Sequence, residues 1–324
     1  MNIGTTSGGL TEAECGLAVL ESPAAVASRS ATSRASVVLA RLADCFELTK
    51  PKIAALELVT VAAAAFIAGP RAGLLLHVLL GTALVAASAS AANQWLERRR
   101  DRMMERTASR PLPAGRLSSV SVVTLSAVTF FAGMLYLAML VNLQTAAIGL
   151  LSWILYVLVY TPLKSRTPAN TWVGAVAGAL PALMGWTAMG RPLDMVAASL
   201  FLVLFLWQLP HFMAIAWLYR EQYRKAGMRM ITVVDPSGLR AGAQAVLAAL
   251  VLIPVSLVPV VQPQATNVRL YFLWAMLLGA GLLATSVAFL IRRNQKTARL
   301  LLRVSIVYLP ALLLLLMLAA PSGV

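Results

Sequence analysis

The chain has 324 residues, 60% of them hydrophobic and only 12% charged, with a mean hydropathy of +0.80. A soluble domain carries about 25% charged residues, so this composition excludes an ordinary soluble protein and requires a polytopic membrane protein. The net charge of +15 does not call for nucleic acid, because Lys and Arg collect in the cytoplasmic loops of membrane proteins.

Residues 1–35 are rich in Ala, Ser, Gly and Thr and lack apolar periodicity, which predicts a disordered extension. Glu12, Glu14 and Glu21 argue against a transit peptide, and no apolar core of a cleavable signal is present. Residues 36–52 read as an amphipathic surface segment that sets Val37, Val38, Leu42 and Phe46 against Arg34, Arg41, Asp44 and Lys50. Cys15 and Cys45 both precede the first apolar run and have no metal-ligand spacing.

Nine apolar stretches follow, at 53–69, 72–92, 118–140, 143–160, 172–189, 194–217, 241–261, 270–291 and 300–320. Each approaches the 17 to 25 or so residues that cross a bilayer. The expected fold is therefore all-α, a bundle of nine transmembrane helices. Of the 27 Lys and Arg, all but Arg71, Arg191 and Arg269 fall on one side of this arrangement. That side is cytoplasmic (or matrix-facing) by the positive-inside rule, with the N-terminus inside and the C-terminus across the membrane. Two long polar loops share the basic side, after the second and sixth spans, so the two halves of the chain repeat in topology though not in sequence.

The first polar loop, Asn93 to Gly115, reads NQWLERRRDRMMERTASRPLPAG. Asn93, Glu97, Asp101 and Glu105 recur every fourth residue and stack along one slowly drifting helix face. Arginines, including Arg106 and Arg110, surround them. Mg²⁺ takes oxygen ligands and shares them between carboxylates and substrate phosphates, while guanidinium groups fork onto the remaining phosphate oxygens. The pattern therefore fits a metal-bridged diphosphate. A solvated helix end laced with ion pairs is the plainer reading of the same spacing.

The second loop follows WQLPHF (207–212) and runs through YREQYRKAG (219–227). Pro210 can kink its helix. His211 stands among Trp207, Phe212 and Trp217, and Glu221 offers a carboxylate to face the first loop. An interfacial histidine in an aromatic belt is the plainer reading here. Tyr160 and Lys164 share a helical face if the helix continues past Pro162, which lets Lys164 hold a phosphate as a point charge or simply snorkel at the boundary. His77 lies deep in a span, far from the polar loops, and reads as structural.

Taken with LTKPKI (48–53) and YTPLKSRTPANTWVGAVAGALPALMGW (160–186), these stretches resemble the UbiA prenyltransferase superfamily, and within it the protoheme IX farnesyltransferases, or heme O synthases. The resemblance covers the chain from about residue 46 onward. It implies a membrane-integral catalytic domain over residues 36–324, with a cavity open to the cytoplasmic side and to lipid. It also implies Mg²⁺ as cofactor and farnesyl diphosphate and heme b as ligands. The product would be heme O for terminal oxidase biogenesis, passed to heme A synthase or the oxidase assembly machinery, with no nucleic-acid partner. By motif, Asn93, Glu97 and Asp101 match the first metal motif, and Arg106 and Arg110 match its diphosphate-binding arginines. Tyr160 and Lys164 match the residues beside the allylic carbon and the diphosphate. Glu221 matches the acidic position of the second motif and a metal ligand, and His211 is a candidate heme contact. Gln222 stands where the family leads us to expect Asp, and Glu97 where many superfamily members have Asp. A related enzyme that prenylates a quinone precursor or a chlorin, and a transporter, are the alternative readings. A bacterial inner membrane is expected, with the mitochondrial inner membrane as the alternative.

Overall fold

The computed structural model describes residues 23–260 and 266–320, and the side chains from residue 36 onward. The chain divides into two compact units, residues 1–42 and 43–324. The first 22 residues of the expected N-terminal extension lie outside the described residues. From Pro23 the backbone is helical: α1 runs Pro23–Leu48, with proline in the first helical position, where its missing N–H costs nothing.

The larger unit contains the end of α1 and all that follows. In chain order it comprises α2 (Pro51–Ile67), α3 (Ala72–Asp101), α4 (Glu105–Ala108), α5 (Ser119–Leu140) and α6 (Leu143–Ile154). A π-helical turn at Leu155–Tyr160 leads into α7 (Thr161–Leu163). Next come α8 (Asn170–Ala188), α9 (Met195–Leu218), α10 (Arg220–Lys225), α11 (Ile231–Val234) and α12 (Leu239–Leu257). A 3₁₀ turn at Val258–Val260 follows, then α13 (Val268–Arg292) and α14 (Gln295–Ala319). The described residues contain no strand.

Long helices occupy all nine places expected for spans. Seven of them are long and apolar enough to cross a membrane: α3, α5, α6 with α7, α9, α12, α13 and α14. Two fall short for separate reasons. Helix α2 has only 17 residues and carries Glu57. Helix α8 is diluted by Gly174, Gly178, Pro181 and Gly185, and most of its residues are buried by protein. A helix enclosed by its neighbours has little need of a lipid-facing apolar surface.

Two apolar clusters organise the bundle. One unites α8, α9, α12, α13 and α14 through Trp186, Trp207, Tyr271, Phe289 and Leu312. The other unites α2, α3, α5, α6 and α8 through Val61, Val78, Leu137, Leu180 and Met184. Helices α2 and α8 contribute to both, so their contact ties the two groups together. Small residues make it close: a Cβ on Gly185 would stand 2.2 Å from the Val61 carbonyl oxygen. Close backbone approach through small residues is the usual means of helix association in lipid.

The two polar loops also meet. Met104, beyond α3, packs with Tyr223, Ala226, Met228 and Met230 from the segment after α9. The Arg106 guanidinium lies 5.0 Å from the centre of the Tyr219 ring. The Arg229 amide donates to the Lys164 carbonyl at 2.7 Å, which adds the α7 segment to the same group. At the other margin of the first loop, Arg116 pairs with Asp44 and, at 2.8 Å, with Glu47.

The α2–α8 contact generates a stability prediction. Gly185→Val must separate the two helices, and overpacking of this kind costs about 1–3 kcal/mol. The melting temperature of the detergent-solubilised protein should fall clearly below that of Gly73→Val, whose new Cβ would meet nothing within 4 Å.

Candidate active site

Helix α3 is 30 residues long, about 45 Å at 1.5 Å per residue, against a hydrocarbon core of about 30 Å. Its last turns therefore extend beyond the apolar layer, and they carry Asn93, Glu97 and Asp101. All three are buried by protein, with 1%, 3% and 1% of their surface exposed. A solvated helix end does not have this property. Buried charges must be paired, and these are.

The Lys164 ammonium donates to Glu97 Oε2 at 3.0 Å. Arg110 donates to Asp101 Oδ2 at 2.8 Å. The Asn93 amide nitrogen donates to Glu97 Oε2 and to Thr161 Oγ1, each at 3.0 Å. Its oxygen accepts from Lys50 Nζ at 2.6 Å. The Thr107 hydroxyl donates to the Asp101 carbonyl at 2.9 Å and anchors the loop that presents Arg106 and Arg110. Burial pulls the Lys164 pKa down, but the Glu97 carboxylate beside it, together with the Tyr160 and Tyr156 side chains, outweighs burial, and the net shift is upward. Lys50 differs. Burial, followed by repulsion from Arg110 and Lys164, brings its ammonium down to about 7. An incoming anion would favour its charged form.

Tyr160 and Lys164 are placed by the π-helical turn. The helix continues past Pro162, with the Lys164 amide donating to the Tyr160 carbonyl at 3.2 Å. The Thr161 hydroxyl satisfies the Tyr156 carbonyl at 2.8 Å. Single π-turns of this type recur at functional sites. Here the turn stacks Tyr156 on Tyr160, with ring centres 5.4 Å apart, and sets Lys164 Nζ 4.5 Å from the centre of the Tyr160 ring. Gly174 on α8 admits that ring: a Cβ there would lie 2.7 Å from Tyr160 Cε2.

Tyr156 and Tyr160 line a cavity of about 430 Å³ that extends into the bundle. Trp153, Trp207, His211 and Phe212 are among its other walls, with the small residues of α8 and the polar groups Glu57, Thr60 and Gln208. The rings of His211 and Trp207 stack with centres 5.2 Å apart. Both are tethered to α14: His211 Nδ1 lies 2.9 Å from Ser305 Oγ, and Trp207 Nε1 donates to the Ser305 carbonyl at 2.6 Å. His77 bonds Tyr136 at 2.9 Å, away from this cavity.

Asn93, Glu97, Asp101, Arg110, Tyr160 and Lys164 thus form one group, with Arg106 at its edge on Tyr219. Glu221 stands apart. Its side chain is 61% exposed and pairs with Arg224 at 2.8 Å, whose hydrogen bond holds the carboxyl below its usual range. In the second loop the side-chain oxygen that is buried without a partner belongs to Gln222. Glu97 Oε1 is likewise buried and without a partner among the described residues. No three His, Cys, Asp or Glu among the described residues are grouped to hold a metal by themselves. The donor set suits a hard cation held by Glu97 and Asp101 that takes its remaining oxygens from a phosphate-bearing ligand and water.

Three members of the site carried little signal in the sequence. Lys50 reads as one more basic residue at a membrane boundary. Its left-handed backbone, φ 53°, is uncommon for lysine and sets it apart. Tyr156 reads as one more aromatic in a span. Glu57 was detectable in principle, as the lone acid of an apolar stretch.

The chain is similar in sequence and in fold to known proteins. The UbiA prenyltransferase family matches residues 57–319. A protein of Rhodopirellula baltica named protoheme IX farnesyltransferase is 46% identical over 85% of this chain and 99% of its own length. One of the same name from Solibacter usitatus is 40% identical over 86% and 99%. Among solved structures, a digeranylgeranylglyceryl phosphate synthase superposes with a TM-score of 0.71 at 19% identity, covering 86% of this chain and 98% of its own. A UbiA homologue of Archaeoglobus fulgidus bound to DMAPP and Mg²⁺ gives 0.63 at 16% identity, over 83% and 99%. The chain is an all-helical, multi-pass membrane enzyme that belongs to the UbiA prenyltransferase family.

Proposed function

We propose that this protein transfers the farnesyl group of farnesyl diphosphate to a vinyl group of heme b, giving heme O. The observation that carries this reading is a cluster of buried carboxylates and cations beside Tyr160, which is also a wall of an aromatic-lined cavity. The names of relatives that match nearly end to end support the choice of substrates.

Glu97 and Asp101 would hold Mg²⁺, with Asn93 completing the first motif. Bound there, the ion supplies Lewis-acid neutralisation of the leaving diphosphate. Lys164, Arg110 and Arg106 bind the diphosphate oxygens. In the structure Lys164 and Arg110 are neutralised by Glu97 and Asp101. A metal on the carboxylates and a diphosphate on the cations would exchange these pairings without leaving a buried charge unmatched. The Tyr160 ring, already facing the Lys164 ammonium, presents its negative face to the allylic cation at farnesyl C1. The vinyl carbon attacks C1, and the apolar walls restrict water at that carbon.

His211 is assigned to heme. Its Nδ1 is engaged by Ser305, which leaves Nε2 for a porphyrin metal or edge. Glu221, exposed and paired with Arg224, would reach a metal only by leaving that pair. Residues 36–324 are read as the catalytic domain and residues 1–35 as an appended segment. The proposed location is a bacterial inner membrane, N-terminus cytoplasmic, with the product passed to heme A synthase or the oxidase assembly machinery.

Asp101→Asn preserves shape and removes one charge from the proposed metal site. Turnover of farnesyl diphosphate and heme should fall on the order of a hundredfold; a near-normal rate at saturating Mg²⁺ contradicts the assignment. The two substrates should separate by mutation. Arg110→Ala should weaken binding of a non-hydrolysable farnesyl diphosphate analogue in titration calorimetry, by about 2–5 kcal/mol for a buried charge pair, and spare heme. His211→Ala should alter the heme absorbance spectrum and spare the analogue. For topology, reporters fused after Gly115 and after Val324 should lie on opposite sides of the membrane; the same side for both refutes an odd number of spans.

A further inference from the structure

Prenyl transfer to a vinyl group produces two cations in succession, and the cluster around Glu97 and Asp101 accounts for the first only. When the vinyl π pair forms the new bond to farnesyl C1, positive charge appears on the vinyl carbon next to the porphyrin ring. Quenching it as an alcohol requires water at that carbon and a base for the water's proton. The base must lie inside the cavity, away from the diphosphate.

Two residues of the cavity wall have this chemistry, Glu57 and His211, and His211 is the one assigned to heme, with its Nδ1 engaged by Ser305. Among the described residues Glu57 is the sole carboxylate lining the cavity, on α2 and half-buried. It has neither an ion pair nor a hydrogen bond among the described residues. An unpaired acid within a membrane helix is costly and requires a reason. It stands seven residues beyond Lys50, which bonds Asn93, hence two helical turns or about 10 Å further along. The other ionisable groups of the wall are Lys52, Tyr156, Tyr160 and His211. Lys52 is exposed at the α2 start, and the two tyrosines stack against each other beneath Lys164. The Thr60 hydroxyl, on the same wall, already donates to the Leu56 carbonyl at 3.0 Å, so its oxygen remains an acceptor for water.

We propose that Glu57 is the catalytic base that activates the water which captures the second cation. This rests on the heme farnesyltransferase reading. The farnesyl C1–O bond breaks and its electron pair leaves with diphosphate. The vinyl π pair forms the C–C bond to C1. The water oxygen forms a C–O bond to the ring-side carbon, and the water proton passes to the Glu57 carboxylate. Glu57 later releases that proton to solvent, so atoms and charge balance with water as the sole co-reactant. Without the base, the second cation decays by losing a proton from the neighbouring CH₂, giving an olefin lighter than the alcohol by one water.

The test uses the full chain in lipid nanodiscs with Mg²⁺, farnesyl diphosphate and reduced heme b, comparing wild type, Glu57→Gln and Glu57→Asp by product mass. The base role predicts a turnover loss of about a hundredfold for Glu57→Gln, partial recovery for Glu57→Asp, and a shift of residual product toward the dehydrated olefin. Binding of heme and of the farnesyl diphosphate analogue should stay within about twofold of wild type, well under the tenfold that 1.4 kcal/mol represents. A Glu57→Gln enzyme with the wild-type rate and only alcohol as product overturns the proposal and leaves prenyl transfer standing. So does a rate loss fully matched by lost heme binding. A wild type that forms no farnesylated heme overturns the underlying reading, and the role of Glu57 with it.

Discussion

The pairing of Glu97 with Lys164 and of Asp101 with Arg110 is the constraint on which the rest of the site depends. Neither carboxylate is more than 3% exposed, and truncating one member of such a buried pair costs about 3–5 kcal/mol. The two pairs join segments far apart in sequence. Glu97 lies on α3 and Lys164 just past α7, while Arg110 returns from the loop beyond α4 to the end of α3. Lys50 adds the start of α2 through Asn93. Four segments are thus gathered by these contacts. The same groups are those that a metal and a diphosphate would engage. These pairings are the ones that a metal and a diphosphate would replace on the proposed reading.

Around this cluster the helices divide the work. The group built on α9, α12, α13 and α14 is a conventional apolar core, and its Ser305 tethers both His211 and Trp207 to α14. The group built on α3, α5 and α6 supports the carboxylate face. Helices α2 and α8 connect the two groups and form walls of the cavity. Glycines serve two different purposes on α8. Gly185 allows the α2 backbone to approach, and Gly174 admits the Tyr160 ring. A bulky residue at the first site would act on stability, and at the second on the position of the aromatic face.

Much of this was legible in the sequence, for physical reasons. Apolar runs of bilayer length and a one-sided basic distribution leave few alternatives to a helical bundle, and the spacing of Asn93, Glu97 and Asp101 places them on one helix face. Two of the nine apolar stretches differ from the rest in the structure: α2 has only 17 residues, and α8 is mostly buried by protein, which relaxes its demand for hydrophobicity. Contacts distant in sequence were not legible. Nothing in LTKPKI says that Lys50 bonds Asn93, 43 residues later. The pattern YREQ offers Glu221 as the acid of the second loop, yet the buried oxygen there belongs to Gln222, because one residue on a short helix turns the side chain by about 100°.

The amide at position 222 also bears on electrostatics, since an acid there would place a further negative charge in the second loop. The neutral amide leaves Glu97 and Asp101 as the buried carboxylates of the cluster, each with a cation already against it. On the proposed reading, a single metal ion on Glu97 and Asp101 would leave more of the neutralisation of diphosphate to Lys164, Arg110, Arg106 and Lys50. Cations held in place by buried partners need little reorganisation when the leaving group develops its charge, which is the condition under which electrostatic stabilisation is most effective.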